Sequence, residues 1–199
     1  CSTELGDEGG FAPALSSNDE ALDLLVAAIS QAGYTTEQMR ISLDVASSSF
    51  YEGGKYVLKS GGERLLDSAH MIAWYVALAG KYPLISIEDG LAEDDWDGFI
   101  GLQTALGETL SIVGDDLTVT NVARIGMAVQ KKAANACIIK PNQIGTVTES
   151  IDAVRAAREA GWKLFASHRS GETMDTFISD FAVGLGCGYL KAGAPTKKE

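Results

Sequence analysis

Six apolar segments of this chain each end at an ionisable residue, and this repeat constrains the possible folds more than any other feature. The segments end at Asp44, Glu88, Asp115, Lys140, His168 and Lys191. After the first interval, successive ends are about 25 residues apart, which is the length of one strand and one helix. The longer first interval contains Phe50-Tyr-Glu-Gly-Gly-Lys-Tyr-Val-Leu58, which predicts a hairpin around Gly53-Gly54.

The predicted strands are continuously apolar rather than alternating, which indicates a parallel sheet buried on both faces by helices. Strand–helix alternation leaves two α/β candidates, an open doubly wound sheet and a closed (β/α) barrel. In a barrel, all six ionisable ends would face one shared mouth, which favours the barrel. A full barrel has eight strands, so we expect a TIM-like barrel that is incomplete, with about six of its eight strands. Residues 1–199 would be one partial domain, cut at both ends.

Helix signals fall between the predicted strands. Ser16-Ser-Asn18 predicts the start of a helix over 18–32, and Asp94 and Asp95 favour a helix start near 95. Thr120-Asn121 predicts the cap of a further helix, and Thr148-Glu149 has the spelling of a capping box. The helices are predicted over 18–32, 67–80, 95–106, 147–159 and 173–184, with another after Asn121.

Charge and cysteine usage narrow the class of protein. The 199 residues carry a formal net charge of −11, which argues against nucleic acid or an anionic membrane as a partner. No apolar run approaches the ~18 residues of a membrane span. The cysteine count is odd, and Cys137 lies in an apolar strand, so we expect a buried free thiol and a reducing cytoplasmic location.

Three carboxylates follow successive strands, and together they predict a metal site. Asp44, Glu88 and Asp115 offer the oxygen ligands that Mg²⁺ prefers, and they would share one edge of the sheet. A single acidic residue at a strand end is as well explained by a solvated loop, but three in register favour a hard cation.

Cationic residues follow the later strands. Near metal ions and a second ammonium, Lys140 or Lys191 would be pushed toward the neutral form that a general base requires. Ser167-His-Arg-Ser-Gly171 supplies a guanidinium and hydroxyls suited to a phosphate or carboxylate. A metal, a lysine base and an anion clamp indicate proton abstraction next to a carboxylate, with the metal stabilising an enediolate. These residues do not by themselves name a substrate.

Five motifs, in order and spacing, resemble the enolase family. They are Gly6-Asp-Glu-Gly-Gly-Phe-Ala-Pro13, Ser86-Ile-Glu-Asp-Gly90 with Asp94-Asp-Trp-Asp97, Gly114-Asp-Asp-Leu-Thr-Val-Thr-Asn121, Ile139-Lys-Pro-Asn-Gln-Ile-Gly145 and Ser167-His-Arg-Ser-Gly-Glu-Thr173. The resemblance runs from end to end of the chain. It implies a glycolytic and gluconeogenic lyase that interconverts 2-phosphoglycerate and phosphoenolpyruvate plus water.

The resemblance also implies roles for individual residues. Lys140 would be the base at C2, and Glu8 the acid that protonates the departing hydroxyl. Asp44, Glu88 and Asp115 would hold the first of two Mg²⁺ ions. The substrate-binding set would be Ser167, His168, Arg169, Ser170 and Lys191. A homodimer is the implied state of the complete protein.

Two other interpretations stay open at the level of sequence. A truncated or divergent member of the family could act as a non-catalytic binding or scaffold protein. An enzyme of the wider superfamily could act on another carboxylate, as a racemase or dehydratase would. The phosphate clamp at Arg169 and Ser170 argues against the second of these alternatives.

Overall fold

A computed structural model of the chain describes residues 2–6, 8–60 and 62–196. The chain forms two compact units. The first, here called the carboxylate unit, comprises Leu15–Leu117 and Gln130–Asn135. The second, the lysine unit, comprises the described residues up to Ala14, Thr118–Val129 and those from Ala136 onward. Each unit contains three of the six predicted strands.

The carboxylate unit contains three parallel strands in the order β1, β5, β6. They span Ile41–Asp44, Leu84–Glu88 and Ser111–Gly114. Every residue of β6 is buried, as the continuous apolar pattern predicts for a parallel strand covered on both faces. The register sets Asp44 opposite Glu88 and Glu88 opposite Val113, so the carboxyl ends of the three strands lie side by side.

The lysine unit contains the other three parallel strands, in the order β7, β8, β9. They span Ala136–Ile139, Lys163–Ser167 and Tyr189–Lys191. Ser167 lies opposite Lys191 in the register of β8 and β9. The six strands therefore end at or immediately before the six ionisable residues, as predicted.

Helices connect these strands, and most begin at a side chain that accepts a backbone hydrogen bond. Their bounds are α1 Asn18–Gln31, α2 Ser68–Lys81, α3 Trp96–Leu106, α4 Val122–Lys131, α5 Pro141–Ile144, α6 Val147–Glu159 and α7 Phe177–Gly184. Ser17 caps α1 by accepting a bond from the Glu20 amide, and Asp95 caps α3 by accepting one from Gly98. The capping box of α6 pairs Glu149 with Thr146 rather than with Thr148.

The core of the lysine unit forms where α4, α6 and α7 cover the strands. Its buried members come from both helices and strands: Ile125, Cys137, Ile139, Ala153, Val154, Ala157, Leu164 and Phe181. The Cys137 thiol is free and fully buried, as predicted. Burial raises the pKa of this thiol to about 12, so it stays protonated and behaves as a small apolar group.

Three local features differ from the sequence-based expectation. Helix α7 begins at Phe177 instead of residue 173, because the Asp175 side chain accepts a bond from the Phe177 amide and the Thr173 hydroxyl accepts one from Asp175. Such side-chain bonds compete with helix formation. The short helix α5 and the strand β4, Arg64–Leu66, were not predicted. Strand β4 pairs with β3, Lys55–Leu58, which in turn pairs with β2, Tyr51–Glu52, in the predicted hairpin.

A buried hydrogen-bond network ties this hairpin sheet to the loop that follows β5. The Tyr56 hydroxyl donates to Asp95 Oδ2 at 2.6 Å and accepts a bond from the Ala92 amide at 3.0 Å. Ser68 also donates to Asp95 Oδ2, at 2.5 Å. Tyr56 is fully buried, and its burial next to the Asp95 carboxylate raises the pKa of the phenol above its ordinary value. The network therefore fixes the backbone between Glu88 and α3.

We predict that Tyr56→Phe lowers the free energy of unfolding by about 1–3 kcal/mol, because the buried Ala92 amide loses its acceptor and Asp95 loses a donor. Urea denaturation followed by tryptophan fluorescence measures this change. The matched control is Tyr34→Phe at an exposed position, which we expect to leave stability within about 0.5 kcal/mol of the parent. Equal stabilities of the two variants would contradict the structural role of the network.

Candidate active site

The three carboxylates predicted to hold a metal lie at the ends of three neighbouring strands in the carboxylate unit. Asp44 and Glu88 are the last residues of β1 and β5, and Asp115 directly follows β6. Glu88 and Asp115 are buried, at 4% and 8% exposure, whereas Asp44 is exposed. Parallel pairing continues past these ends, since the Val45 amide donates to the Glu88 carbonyl at 3.0 Å.

Asp89 is a site residue that the sequence analysis did not single out. One of its carboxylate oxygens accepts a bond from the Asp115 amide at 2.9 Å, and the other accepts one from the Asp116 amide at 2.8 Å. Its backbone has a positive φ of 44°, a conformation that aspartate and asparagine tolerate better than most residues. Asp89 therefore connects the end of β5 to the loop after β6 and orients the backbone that carries Asp115.

Asp89, Asp115 and Asp116 also bring carboxylate oxygens together. Within the described part of the chain, these three form the acidic group whose oxygens all lie within 4.8 Å of one another. The cluster shares Asp115 with the predicted set, but it contains Asp89 and Asp116 in place of Asp44 and Glu88.

The electrostatics of this edge fit a divalent cation. Burial raises the pKa of Asp89 to about 8, the backbone bonds from Asp116 and Asp115 oppose that rise, and the neighbouring carboxylates add to it. Crowded, buried carboxylates repel one another, and a cation among them would favour their ionised forms. Oxygen-only donors at this edge suit Mg²⁺.

In the lysine unit, Lys140 directly follows β7 and lies half-buried at the start of α5. His168 directly follows β8, and its amide donates to the Lys191 carbonyl at 2.8 Å. The His168 ring accepts a bond from the Gly193 amide at Nδ1, at 3.1 Å. A neutral imidazole that accepts at Nδ1 carries its proton on Nε2, so Nε2–H is the donor that this ring can offer a ligand.

The predicted residues Ser167, Arg169 and Ser170 lie at the end of β8 and in the loop that follows it. The hydroxyl of the buried Ser167 donates to the His168 carbonyl at 2.7 Å. This bond stabilises the backbone at the end of β8. Arg169 and Ser170 are exposed, so their donors are accessible to an anion. A cavity of about 330 Å³ opens beside Ser167 between the start of α5 and the residues that precede α7; it is lined by Pro141, Asn142, Ser167, Glu172, Thr173, Asp175, Phe177 and Ile178.

Glu8 lies exposed in a tight loop of the lysine unit. The Gly6 amide donates to the Gly10 carbonyl at 2.9 Å and closes this loop. The Thr196 hydroxyl donates to the Gly9 carbonyl at 2.7 Å, which ties the loop to the chain that follows Lys191. The structure therefore brings the segment that carries Glu8 to the segment that leaves β9.

A comparison with known proteins identifies the family. The sequence profile of the family described as "Enolase, C-terminal TIM barrel domain" matches residues 1–199. The chain belongs to the enolase family. This membership confirms the resemblance and the predicted fold class, a barrel of the enolase type represented by six parallel strands. The roles expected of individual side chains stay predictions.

Curated relatives from several microorganisms resemble this enolase-family chain. Enolase 2 of Methanospirillum hungatei is 55% identical over 199 residues, which are 100% of this chain and 46% of that protein. Enolase 1 of Methylococcus capsulatus is 54% identical over 198 residues, 99% of this chain and 47% of that protein. Enolase 2 of Pseudomonas syringae pv. tomato is 52% identical over 199 residues. The chain thus spans about half the length of the curated relatives that it matches.

Hydropathy adds one finding on membranes. Among the helices in the described ranges, none combines the length and the apolar character that crossing a bilayer requires. The longest of these helices have 14 residues, fewer than the roughly 20 that span a hydrocarbon core.

We predict that Asp89→Asn loosens the loop after β6. Asparagine tolerates the left-handed backbone, but it offers one acceptor oxygen where aspartate offers two, so one of the Asp115 and Asp116 amides loses its partner. We expect the free energy of local opening to fall by about 1–3 kcal/mol. Hydrogen exchange of a peptide covering residues 111–121, followed by mass spectrometry, measures this. Asp97→Asn, at an exposed position of α3, is the control; equal exchange in both variants would show that Asp89 does not hold the loop.

Proposed function

We propose that the full-length gene product interconverts 2-phosphoglycerate and phosphoenolpyruvate plus water, as a magnesium-dependent lyase. Enolase-family membership over the whole chain supports this most strongly, together with relatives named enolase at more than half identity. Each residue to which the resemblance gives a role is present. The strand ends of the carboxylate unit supply acids, and those of the lysine unit supply cationic or hydrogen-bonding groups.

In this proposal Lys140 is the general base. Its neutral amine takes the proton from C2 of 2-phosphoglycerate, and the electron pair of that bond moves into the adjacent carboxylate to give an enediolate. The electron pair then forms the second bond between C2 and C3 as the C3–O bond breaks, and Glu8 donates a proton to the departing hydroxyl, which leaves as water. Phosphoenolpyruvate results, with the protons of Lys140 and Glu8 balanced at the end of the cycle by exchange with solvent.

The other named residues bind and orient the substrate. Arg169 would bind the phosphate through paired N–H groups, and Ser170 would add a hydroxyl. Lys191 would attract the carboxylate, while Nε2–H of His168 would donate to a substrate oxygen, consistent with the bond that its Nδ1 accepts from Gly193. Ser167 holds the start of this segment through its bond to the His168 carbonyl.

Asp44, Glu88 and Asp115 would hold the first Mg²⁺, and a second is expected from the family resemblance. Bound Mg²⁺ supplies positive charge that stabilises the negative charge developing on the substrate carboxylate as the C2 proton is removed. Asp89 would support this set indirectly, because it orients the Asp115 backbone.

The same resemblance supports three wider proposals. The full-length protein would act in glycolysis and gluconeogenesis, it would be cytoplasmic, and it would form a homodimer. Sedimentation velocity of the full-length gene product tests the last of these.

We predict that Lys140→Ala lowers kcat for phosphoenolpyruvate formation by about 10²–10⁴-fold, the usual contribution of a general base. The absorbance of phosphoenolpyruvate, followed directly at saturating Mg²⁺ without a coupling enzyme, measures the rate. Lys131→Ala, at an exposed position near the end of α4, is the control and should keep the parent rate. A parent protein with no turnover of 2-phosphoglycerate would overturn the proposed function and favour a binding or scaffold role.

We predict that Glu88→Gln raises the dissociation constant for Mg²⁺ by at least about tenfold, since it removes one negative charge from a buried ligand position while keeping the side-chain shape. Isothermal titration with Mg²⁺ alone measures the affinity without reference to turnover. Glu37→Gln, in an exposed loop, serves as the control. Unchanged Mg²⁺ affinity in Glu88→Gln would remove Glu88 from the ligand set.

A further inference from the structure

The turn that leads into α4 has an unexpected backbone. Val119 and Thr120 have positive φ angles of 44° and 55°, and the Asn121 amide donates to the Thr118 carbonyl at 2.8 Å. Two central residues with positive φ are the signature of a type I′ turn, which normally uses glycine, asparagine or aspartate. β-Branched residues are disfavoured there, so this conformation requires compensating interactions.

The Thr120 side chain supplies such interactions. Thr120 is fully buried. Its hydroxyl oxygen accepts a bond from the Lys140 amide at 2.9 Å, and its O–H donates to Gln143 Oε1 at 2.7 Å. The Gln143 backbone amide in turn donates to the Lys140 carbonyl at 2.9 Å. These three bonds form a closed ring, here called the Thr120 clasp, which holds both the amide and the carbonyl of Lys140.

We propose that Thr120 is a positioning residue for Lys140: the Thr120 clasp sets the backbone from which the base extends toward its substrate. This inference rests on the proposed function, in which Lys140 removes the C2 proton. Thr120 acts through Lys140 and Gln143 and does not need to touch the substrate. The sequence predicts a helix cap at Thr120-Asn121, and Asn121 performs that role by accepting bonds from the amides of Ala123 and Arg124.

The clasp matters because Lys140 lies where regular strand structure ends. Strand β7 ends at Ile139, and α5 begins at Pro141, so Lys140 is the single residue between two elements. A lysine side chain has four rotatable bonds, and a small rotation at its Cα moves the amine by a large distance. Proton transfer requires a close, directed approach, and a displacement of about 1 Å can cost about 10²-fold in rate.

A purely structural function for Thr120 would be to satisfy a buried amide, and the two roles predict different kinetics. Removing the hydroxyl would lower stability in either case. Only a positioning role also lowers kcat at temperatures where the variant is fully folded, with KM little changed, because the lost interaction then acts on proton removal rather than on substrate binding.

The test uses the full-length gene product and three variants. Thr120→Val removes the hydroxyl and keeps the β-branched shape, and Thr120→Ser restores the hydroxyl. Thr146→Val is the matched control, because it also removes a threonine hydroxyl that accepts a backbone amide, at the start of α6. If Thr120→Val does not fold, Thr120→Ala removes the same hydroxyl with less strain at the positive φ.

We expect Thr120→Val to lower kcat by about 10–100-fold with KM within about twofold of the parent. Exchange of the C2 proton of 2-phosphoglycerate with deuterated solvent should slow in parallel, since it reports proton removal alone. Thr120→Ser should recover most of the lost rate. Thr146→Val should lose stability but keep the parent kcat.

Three results would overturn the inference, and they are distinguishable. A parent protein that turns over 2-phosphoglycerate, with Thr120→Val at the same kcat, removes the positioning role and leaves the proposed function intact. A parent protein without turnover or C2 exchange removes the proposed function and the inference together. Hydrogen exchange of a peptide covering residues 136–146 reports the clasp independently of turnover, and unchanged exchange in Thr120→Val would show that the clasp does not hold Lys140.

Discussion

Parallel hydrogen-bonded pairing is the constraint on which the site depends. In a parallel sheet, neighbouring strands run in one direction, so their carboxyl ends lie together at one edge. The register of β1 and β5 sets Asp44 against Glu88, and the register of β8 and β9 sets Ser167 against Lys191. A one-residue slip would turn each of these side chains to the other face of its strand, so the site requires these registers. Chemical groups encoded far apart in the chain thereby become neighbours within each unit.

Beyond the strand ends, side chains accept the hydrogen bonds of backbone amides that no neighbouring strand pairs with. Asp89 accepts the amides of Asp115 and Asp116, and the Thr120 hydroxyl accepts the amide of Lys140. Both residues are buried, and both have positive φ angles. A buried amide without a hydrogen-bond partner costs free energy, so these short polar side chains stabilise loops that lie outside the strand pairing. At both places a residue with positive φ holds the backbone of a residue at a strand end, Asp115 or Lys140.

Burying acidic side chains at the strand ends of the carboxylate unit is electrostatically unfavourable. Glu88, Asp89 and Asp115 are buried acids in a chain whose net charge is already −11. Burial and mutual repulsion raise the pKa of Asp89, whereas its two backbone bonds favour the ionised form. Such an arrangement is typical of sites that hold a cation, because the cation removes the repulsion. The acidic character that argues against nucleic-acid partners is therefore compatible with a cationic cofactor and an anionic substrate.

The sequence by itself determined the order of strands and helices, the parallel class of the sheet and the strand-end positions of the ionisable residues. These follow from apolar runs and helix caps, which are local patterns with a strong physical basis. Its motifs also indicated the family. Only the tertiary structure decided the hydrogen-bond partners of Asp89 and Thr120 and the existence of β4, whereas the later start of α7 follows from side-chain bonds between residues two positions apart. Asp89 and Thr120 act on amides 26, 27 and 20 residues away, and β4 is a strand only because β3 pairs with it. No local pattern encodes a partner at that distance, since the bond forms only after the chain has brought the two segments together.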